Sequence, residues 1–254
     1  MDKPAIAFFD LDHTLLDGSN GNIYATQMVR EGYISSGVFF WMLYYSILYK
    51  ANRLPREDVY RKVLDIMGRY TVPEMIEMMD RGFERLIVPR LYTGGAEKVR
   101  EHRDSGHVTV IATAAGEYIA ERVRAQLGAD AIVATSTPIK GEHMTSEIRV
   151  ATSFMEGKLE MARECCRAYD ADLADCWFYS DSASDLPLLE AVGHPVMVNP
   201  QLKLRMAARG RGWPVLKFRE HARFDEVARP SRPLSEPMQS FVSEYEEGLS
   251  RAMR

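Results

Sequence analysis

Short apolar blocks that end at a polar residue constrain the fold of this chain more than any other feature. The first block, residues 5–9, leads directly into Asp10. The later blocks are residues 108–112, 131–134, 176–179 and 195–198. Short uninterrupted apolar runs are typical of parallel strands that are buried on both faces. The blocks therefore predict a parallel sheet.

Helical patterns fill the intervals between these blocks. They cover residues 94–105, 117–127, 157–169, 185–192 and 201–209. Strands that alternate with helices of this length imply that helices cover both faces of the sheet. We therefore predict an α/β fold with a Rossmann-like parallel sheet, in which ligands bind beyond the carboxyl ends of the strands.

The rest of the chain divides into two further regions. Residues 17–92 carry apolar residues at helical spacing without a strand-like block, which predicts an all-helical cap inserted after the first strand. Residues 221–254 begin as a linker rich in proline, serine and arginine and continue as an amphipathic helix. The predicted α/β core is therefore discontinuous and comprises residues 1–16 and 93–220.

Charge and cysteine content narrow the class of protein. The chain has 32 basic and 36 acidic residues, a formal net charge of -4, which argues against nucleic acid as a partner. Its 3 cysteines lack the spacing of a zinc site and are typical of reduced thiols. The first residues lack the pattern of a signal peptide, so we expect a cytoplasmic protein.

The segment 37–49, GVFFWMLYYSILY, is almost wholly apolar and aromatic. It is shorter than the ~20 residues that a membrane-spanning helix needs, so we expect no transmembrane segment. The composition favours a helix buried in the cap or at a dimer contact over contact with a membrane surface. The oligomeric state is left open.

Asp10 and Asp12 follow the first predicted strand as part of Asp10-Leu-Asp-His-Thr14. Residues two apart in a strand point to the same side, so both carboxylates can reach one pocket. One can attack phosphorus while the other handles the proton. Paired acids also bind solvent or cap helices, and both interpretations stay open on this motif alone.

Three further segments place polar groups at strand ends or helix starts. Thr113, followed by the backbone N–H groups of Ala114 and its neighbours, suits a phosphate oxygen or an ordinary helix cap. Lys158 lies at a helix start, where a cation is unfavourable for the helix dipole. A bound phosphate would explain its position, and a solvent-facing lysine is the alternative. Asp181 and Asp185 are hard oxygen donors of the kind that magnesium prefers, although Asp181 or Ser184 could instead cap the next helix.

Together these motifs resemble those of the haloacid dehalogenase superfamily, in its phosphoserine-phosphatase-like branch with a helical cap. The resemblance runs from residue 5 to about residue 218 and rests on FFDLDHTLL, VIATAAG, EGKLE and YSDSASDLPLLEAVGHPVMVNP. It implies a magnesium-dependent phosphatase that acts on a small phosphorylated metabolite.

The resemblance also implies a role for each motif. Asp10 would form an aspartyl phosphate, and Asp12, oriented by Thr14, would act as general acid and base. Phosphoryl oxygens would be held by Thr113, Ala114 and Lys158. Mg²⁺ would be held by Asp10, the carbonyl of Asp12, Asp181 and Asp185, with Ser184 in support.

Two positions depart from the family pattern. His13 stands where glycine is frequent, and Ser19 falls where phosphoserine phosphatases carry a glutamate that holds the substrate ammonium. Phosphoserine is therefore disfavoured as the substrate. Candidates for contacts with the leaving group in the cap are Asn20, Asn22, Tyr24, Arg53 and Arg56.

Three alternatives to simple hydrolysis stay open. One is a membrane-surface enzyme that acts on a lipid phosphate, suggested by the apolar segment 37–49. Another is a regulatory module that binds a phosphorylated ligand without turnover. The third is a phosphotransferase that passes the phosphoryl group to an alcohol.

Overall fold

A computed structural model describes residues 4–50, 64–135, 137, 139–145 and 155–223. Its centre is a six-stranded sheet in the order β3-β2-β1-β6-β7-β8, and every neighbouring pair of strands in it is parallel. The strands are β1 (Ile6–Phe9), β2 (Val108–Gly116), β3 (Ala131–Thr135), β6 (Trp177–Ser180), β7 (His194–Val198) and β8 (Val215–Leu216). This confirms the predicted α/β fold with a parallel sheet.

The register of the central strands places the polar residues at one edge of the sheet. Phe9 at the end of β1 pairs with Ile111 in β2 and with Tyr179 in β6. Because the strand order reverses at β1, a crevice forms beyond its carboxyl end, where ligands of open α/β sheets bind. Asp10 is the first residue in that crevice.

Helices cover both faces of the sheet. They are α4 (Thr93–Asp104), α5 (Glu117–Leu127), α6 (Met155–Ala168), α7 (Leu186–Ala191) and α8 (Leu202–Arg211). Two clusters of buried apolar side chains result, one containing Phe9 and Ile111 and the other containing Phe8 and Phe178. Adjacent strand residues thus feed opposite faces, as the period of two in a strand requires.

The region between β1 and α4 is helical in its described parts. It contains α1 (Asn20–Arg30), α2 (Ser36–Lys50), α3 (Val72–Gly82), a π-helical turn at Phe83–Ile87 and a 3-10 turn at Val88–Arg90. A capping box starts α3, because the Thr71 hydroxyl accepts from the Glu74 N–H and the Glu74 carboxylate accepts from the Thr71 N–H. Residues 51–63 lie outside the described residues, and the division into cap and core stays a prediction.

The described residues include three short strands that the sequence pattern did not predict. Strand β8 and the hairpin formed by β4 (Ile139–Lys140) and β5 (His143–Met144) are each too short to leave an apolar block. In addition, β2 continues through Thr113 to Gly116, four residues past the predicted end at 112. The predicted C-terminal helix falls in residues 224–254, outside the described residues.

The apolar segment forms most of α2, but that helix is only partly covered. Val38, Phe39 and Met42 pack against the core, whereas Phe40 and Leu43 are exposed. The structure therefore differs from a helix buried within a cap. Among the described residues, no helix combines the length and apolar character needed to cross a bilayer.

Candidate active site

The carboxyl ends of β1 and β6 and the start of α6 bring four charged residues together. Asp10, Lys158, Asp181 and Asp185 are all buried. Lys158 Nζ donates to Asp10 Oδ1 at 2.9 Å and to Asp185 Oδ2 at 3.0 Å. Residues distant in sequence thus form one buried ion-pair network. A lysine that served only to begin a helix would have no need of two buried carboxylate partners.

Asp10 is fixed by its backbone and by two side chains. Its N–H donates to the Tyr179 carbonyl at 2.9 Å, which continues the ladder between β1 and β6. The Thr14 hydroxyl donates to Asp10 Oδ2 at 3.5 Å, the opposite oxygen from the one that Lys158 contacts. Thr14 therefore contacts Asp10, and not Asp12 as the resemblance implied.

Asp12 lies against the start of α1. The backbone N–H and the side-chain Nδ2 of Asn20 donate to Asp12 Oδ1 at 2.9 and 2.8 Å, and the Ser19 hydroxyl donates to Oδ2 at 3.4 Å. Asn20, a predicted contact of the leaving group, and Ser19, which stands where a glutamate was expected, therefore hold the second carboxylate of the acid pair.

The pair on the β6 side has its own hydrogen bonds. The Ser180 hydroxyl donates to Asp185 Oδ2 at 2.6 Å. Gln201 donates its Nε2–H to Asp181 Oδ2 at 2.8 Å, and its backbone N–H to the Asp181 carbonyl at 3.0 Å. Both carboxylates are therefore oriented before any ligand binds.

The remaining predicted site residues, Thr113, Ala114 and Ser184, make hydrogen bonds of their own. Thr113 is buried, and its hydroxyl accepts from the Ala115 N–H at 3.0 Å. The carbonyl of Ala114 accepts from the Thr135 hydroxyl at 2.9 Å. Ser184 is bonded within its own turn, to Ser182 Oγ at 2.9 Å. The site roles assigned to these three residues stay predictions.

Burial dominates the electrostatics of the cluster. It raises the pKa of Asp10 to about 8, although the Lys158 ammonium acts in the opposite direction. Burial likewise raises the pKa of Asp181 to about 6, against the hydrogen bond from Gln201. Burial alone would lower the pKa of Lys158, but Asp10 and Asp185 raise it above its ordinary value. The carboxylates therefore repel one another, and positive charge is what the site lacks.

The donor set fits a magnesium ion, although the described residues contain no ready group of three His, Cys, Asp or Glu side chains around one point. Mg²⁺ needs only one or two protein carboxylates and retains several waters. Asp10 and Asp181 are buried oxygen donors of this kind, and each has a pKa raised by burial that a divalent cation would lower. The chemistry of the site is therefore compatible with the ion.

His13 adopts a backbone conformation that side chains rarely take. Its φ is 60°, in the left-handed region, and its N–H donates to the Gly18 carbonyl at 3.1 Å. This explains why glycine is frequent at that position, since glycine enters the left-handed region without strain. The imidazole is exposed, yet it lies near enough to Asp181 to lower the pKa of that carboxyl group.

The cap candidates have different environments. Tyr24 is buried and donates its hydroxyl to the Met79 carbonyl at 3.2 Å, so it packs inside the helical region. The Asn22 carbonyl accepts from the Thr26 hydroxyl within α1. Arg53 and Arg56 lie outside the described residues. Sequence reasoning missed Gln201 as a partner of Asp181, because a hydrogen bond between separate elements leaves no local motif. It also assigned no role to Ser180, although Ser180 lies in the same motif as Asp185.

Comparison with known proteins gives curated relatives over most of the chain. "Inhibition of morphological differentiation protein" of Streptomyces azureus is 31% identical over 235 residues, 89% of this chain and 84% of the relative. A probable phosphatase of Mycobacterium tuberculosis is 28% identical and covers 89% of this chain and 79% of its own length. A protein of the same species named phosphoserine phosphatase is 27% identical over 91% of this chain and 76% of its own length.

Solved structures share the fold. A protein of unknown function from Bordetella pertussis is 26% identical, with a TM-score of 0.77 over 85% of this chain and 99% of that chain. A phosphoserine phosphatase with an analogue of a phospho-aspartyl intermediate is 19% identical, with a TM-score of 0.62 over 81% of this chain and 91% of that chain. The sequence profile of haloacid dehalogenase-like hydrolases matches residues 7–190. The chain belongs to that family of hydrolases.

Proposed function

We propose that this protein is a magnesium-dependent phosphatase that hydrolyses small organic phosphate monoesters through an aspartyl phosphate on Asp10. The observation that carries the proposal is the buried contact of 2.9 Å between Lys158 Nζ and Asp10 Oδ1 at the carboxyl end of the central strand. A nucleophilic carboxylate and a cation for the phosphoryl oxygens are thereby adjacent. Curated relatives named phosphatases support this reaction class.

In the first step, an oxygen of Asp10 attacks phosphorus in line with the ester oxygen. The new bond from Asp10 to phosphorus forms as the bond from phosphorus to the ester oxygen breaks. Asp12 gives its proton to that leaving oxygen, which departs as an alcohol. The Lys158 ammonium and the Thr113 hydroxyl offset the charge that collects on the other phosphoryl oxygens.

In the second step, Asp12 is a carboxylate and accepts a proton from a water molecule. The water oxygen bonds to phosphorus, the bond to Asp10 breaks, and inorganic phosphate leaves. Asn20 holds Asp12 through two hydrogen bonds to one oxygen, which leaves Oδ2 with the weaker contact from Ser19 at 3.4 Å. We assign the proton transfers to that oxygen.

Asp10, the backbone carbonyl of Asp12 and Asp181 would hold the magnesium ion, with Asp185 behind them. When bound, the ion offsets the repulsion between the carboxylates and the incoming phosphate. Asp185 accepts from Lys158 and from Ser180, so its part is to fix Lys158 beside Asp10.

The substrate class is narrowed by the loop that follows the acid pair. Ser19 donates to Asp12, and an uncharged side chain there does not pair with an ammonium group. We therefore expect phosphoserine to be a poorer substrate than monoesters without an amino group, although one relative bears the name phosphoserine phosphatase. A screen of phosphorylated amino alcohols, sugars and alcohols, ranked by kcat/KM, tests this order.

The decisive test of the reaction combines Asp10→Asn with direct detection of the intermediate. The variant should lose roughly a thousandfold or more in kcat, since an amide is a poor nucleophile. Acid quenching of the wild type during turnover should trap a phosphoryl group, and peptide mass spectrometry should place it on Asp10.

Asp104→Asn is the matched control, because Asp104 is an exposed acid at the end of α4. It should retain wild-type turnover. Turnover that survives in Asp10→Asn, or a phosphoryl group trapped on another residue, would overturn the proposal. A protein that binds phosphate with no turnover of any monoester, with or without Mg²⁺, would instead be a binding module.

A further inference from the structure

Helix α2 presents large apolar side chains on its outer face. Phe40 is 64% exposed, Tyr44 57% and Leu43 43%, while Val38 and Met42 on the inner side pack against the core. Leaving such side chains in water forgoes the free energy that their burial would give. A cluster of this kind marks an interaction surface more often than single scattered apolar residues do.

The sequence around α2 differs in charge from the rest of the protein. From residue 32 to residue 56 there is no aspartate or glutamate, whereas Lys50, Arg53 and Arg56 are basic. The whole chain carries a net charge of -4, so this stretch is locally positive against an acidic background. A locally positive apolar surface is complementary to a negatively charged, partly apolar partner.

The aromatic residues of α2 indicate which partner has that chemistry. Trp41 and Tyr44 belong to a helix that also contains Phe40 and Leu43. Tryptophan and tyrosine are enriched at the level of lipid headgroups, and apolar helices flanked by lysine and arginine bind in that plane. At 15 residues, α2 is too short to cross a bilayer, so a position parallel to the surface is the one available to it.

We propose that the outer face of α2, defined by Phe40, Leu43 and Tyr44, docks onto the headgroup region of a bilayer that contains anionic lipids. The apolar side chains enter the boundary between headgroups and acyl chains, and the positive charge of residues 32–56 favours anionic over neutral lipids. A second copy of the chain is the competing occupant, and the experiment below distinguishes the two.

The test is co-sedimentation of the full chain with vesicles of phosphatidylcholine, with or without phosphatidylglycerol. The double variant Phe40→Ser/Leu43→Ser removes the apolar contact and should reduce binding to the mixed vesicles by roughly tenfold or more. Its control is Met206→Ser on α8, an apolar residue that is 68% exposed. The control should bind as the wild type does. Both variants change exposed residues that hold none of the catalytic side chains, so turnover of a water-soluble monoester should be unchanged and reports correct folding.

The expected pattern is binding of the wild type to the mixed vesicles, weaker binding as salt rises, and loss in the α2 variant alone. A wild type that stays in the supernatant with both vesicles overturns the proposal. Equal loss in the α8 control, or no loss in the α2 variant, also overturns it. Concentration-dependent dimers that α2 substitution abolishes, without vesicle binding, would assign the face to a second copy. None of these outcomes depends on whether Asp10 is the nucleophile.

Discussion

The two ends of the central sheet bury titratable side chains in opposite ways. At the carboxyl end, Asp10 and Lys158 form a buried pair at 2.9 Å. At the amino end, the rings of His107, Trp177 and His194 stack on one another, and the imidazole of His102 contacts Tyr179 Oη at 2.8 Å. The carboxyl end buries an acid against an ammonium group, whereas the amino end stacks aromatic rings at its surface and buries only the imidazole of His102 among its three histidines.

This difference gives the two ends opposite responses to acid. Burial raises the pKa of Asp10 from 3.8 to about 8, so in the metal-free protein the folded state takes up that proton first. Acidification from about pH 8 towards about pH 4 therefore stabilises the carboxyl end. Burial lowers the pKa of His102 from 6.5 to about 4, so the unfolded state takes up that proton first. Acidification from about pH 6.5 towards about pH 4 therefore destabilises the amino end.

Removal of the buried cation, Lys158, should have the largest effect on stability and turnover. Lys158→Met leaves Asp10 and Asp185 buried without their ammonium partner. We expect the free energy of unfolding at neutral pH, without Mg²⁺, to fall by about 3–5 kcal/mol. Turnover should fall by roughly a hundredfold or more, because the charge on the phosphoryl oxygens is no longer offset. Denaturant titration and steady-state kinetics measure the two effects.

The pH dependence of this loss distinguishes a missing charge from a packing defect. Without Lys158 the Asp10 carboxyl group should bind its proton more readily in the folded state, so the loss should be smaller at about pH 5 than at about pH 8. Lys98→Met is the control, since Lys98 pairs with Glu101 on the surface and should contribute less than about 1 kcal/mol. An equal loss at both pH values would mean that packing, and not charge, dominates.

At the amino end, His102→Gln should make the free energy of unfolding less dependent on pH. The pKa difference between unfolded and folded His102 predicts a loss of about 2 kcal/mol in wild-type stability between pH 7 and about pH 5, before the opposing gain at Asp10. Glutamine keeps polar atoms near Tyr179 but does not titrate. Denaturant titrations of the wild type and the variant across this pH range, without metal, measure how steeply the free energy of unfolding of each changes with pH.

Asp10→Asn offers the complementary measurement. It removes the opposing gain at the carboxyl end, so its stability should fall more steeply on acidification than that of the wild type. If His102→Gln and the wild type have parallel profiles, the imidazole of His102 does not set the response of the amino end.

The strands and the ligand-binding edge were predictable because buried parallel strands leave apolar blocks in the sequence. The block at residues 5–9 became Ile6–Phe9, and the block at 176–179 became Trp177–Ser180. Because the alternation with helices makes the strands parallel, their carboxyl ends meet at one edge, and Asp10 and Asp181 must lie there. Strand β8 pairs with β7 but has only two residues, too few to leave such a block.

The partners of the acids were less predictable than the acids themselves. Asn20 reaches Asp12 from 8 residues along the chain, and Gln201 reaches Asp181 from 20. These contacts depend on where α1 and α8 start relative to the sheet edge, which residue periodicity does not encode. Thr14 illustrates the same limit. The resemblance implied that it orients Asp12, whereas in the structure its hydroxyl donates to Asp10.

Substitution of Gln201 should have the smallest and most selective effect on the carboxyl end of the sheet. Its Nε2–H donates to Asp181 Oδ2 and helps to hold the pKa of that carboxyl group down against the effect of burial. Gln201→Leu should therefore weaken Mg²⁺ binding about tenfold, the lower end of the range for residues that orient metal ligands. Calorimetric titration of the substrate-free protein with Mg²⁺ measures this directly. Because the backbone N–H of Gln201 still holds the Asp181 carbonyl, kcat at saturating Mg²⁺ should change by less than about twofold. A fall in kcat that excess Mg²⁺ does not restore would mean that Gln201 acts on the phosphoryl group and not through Asp181.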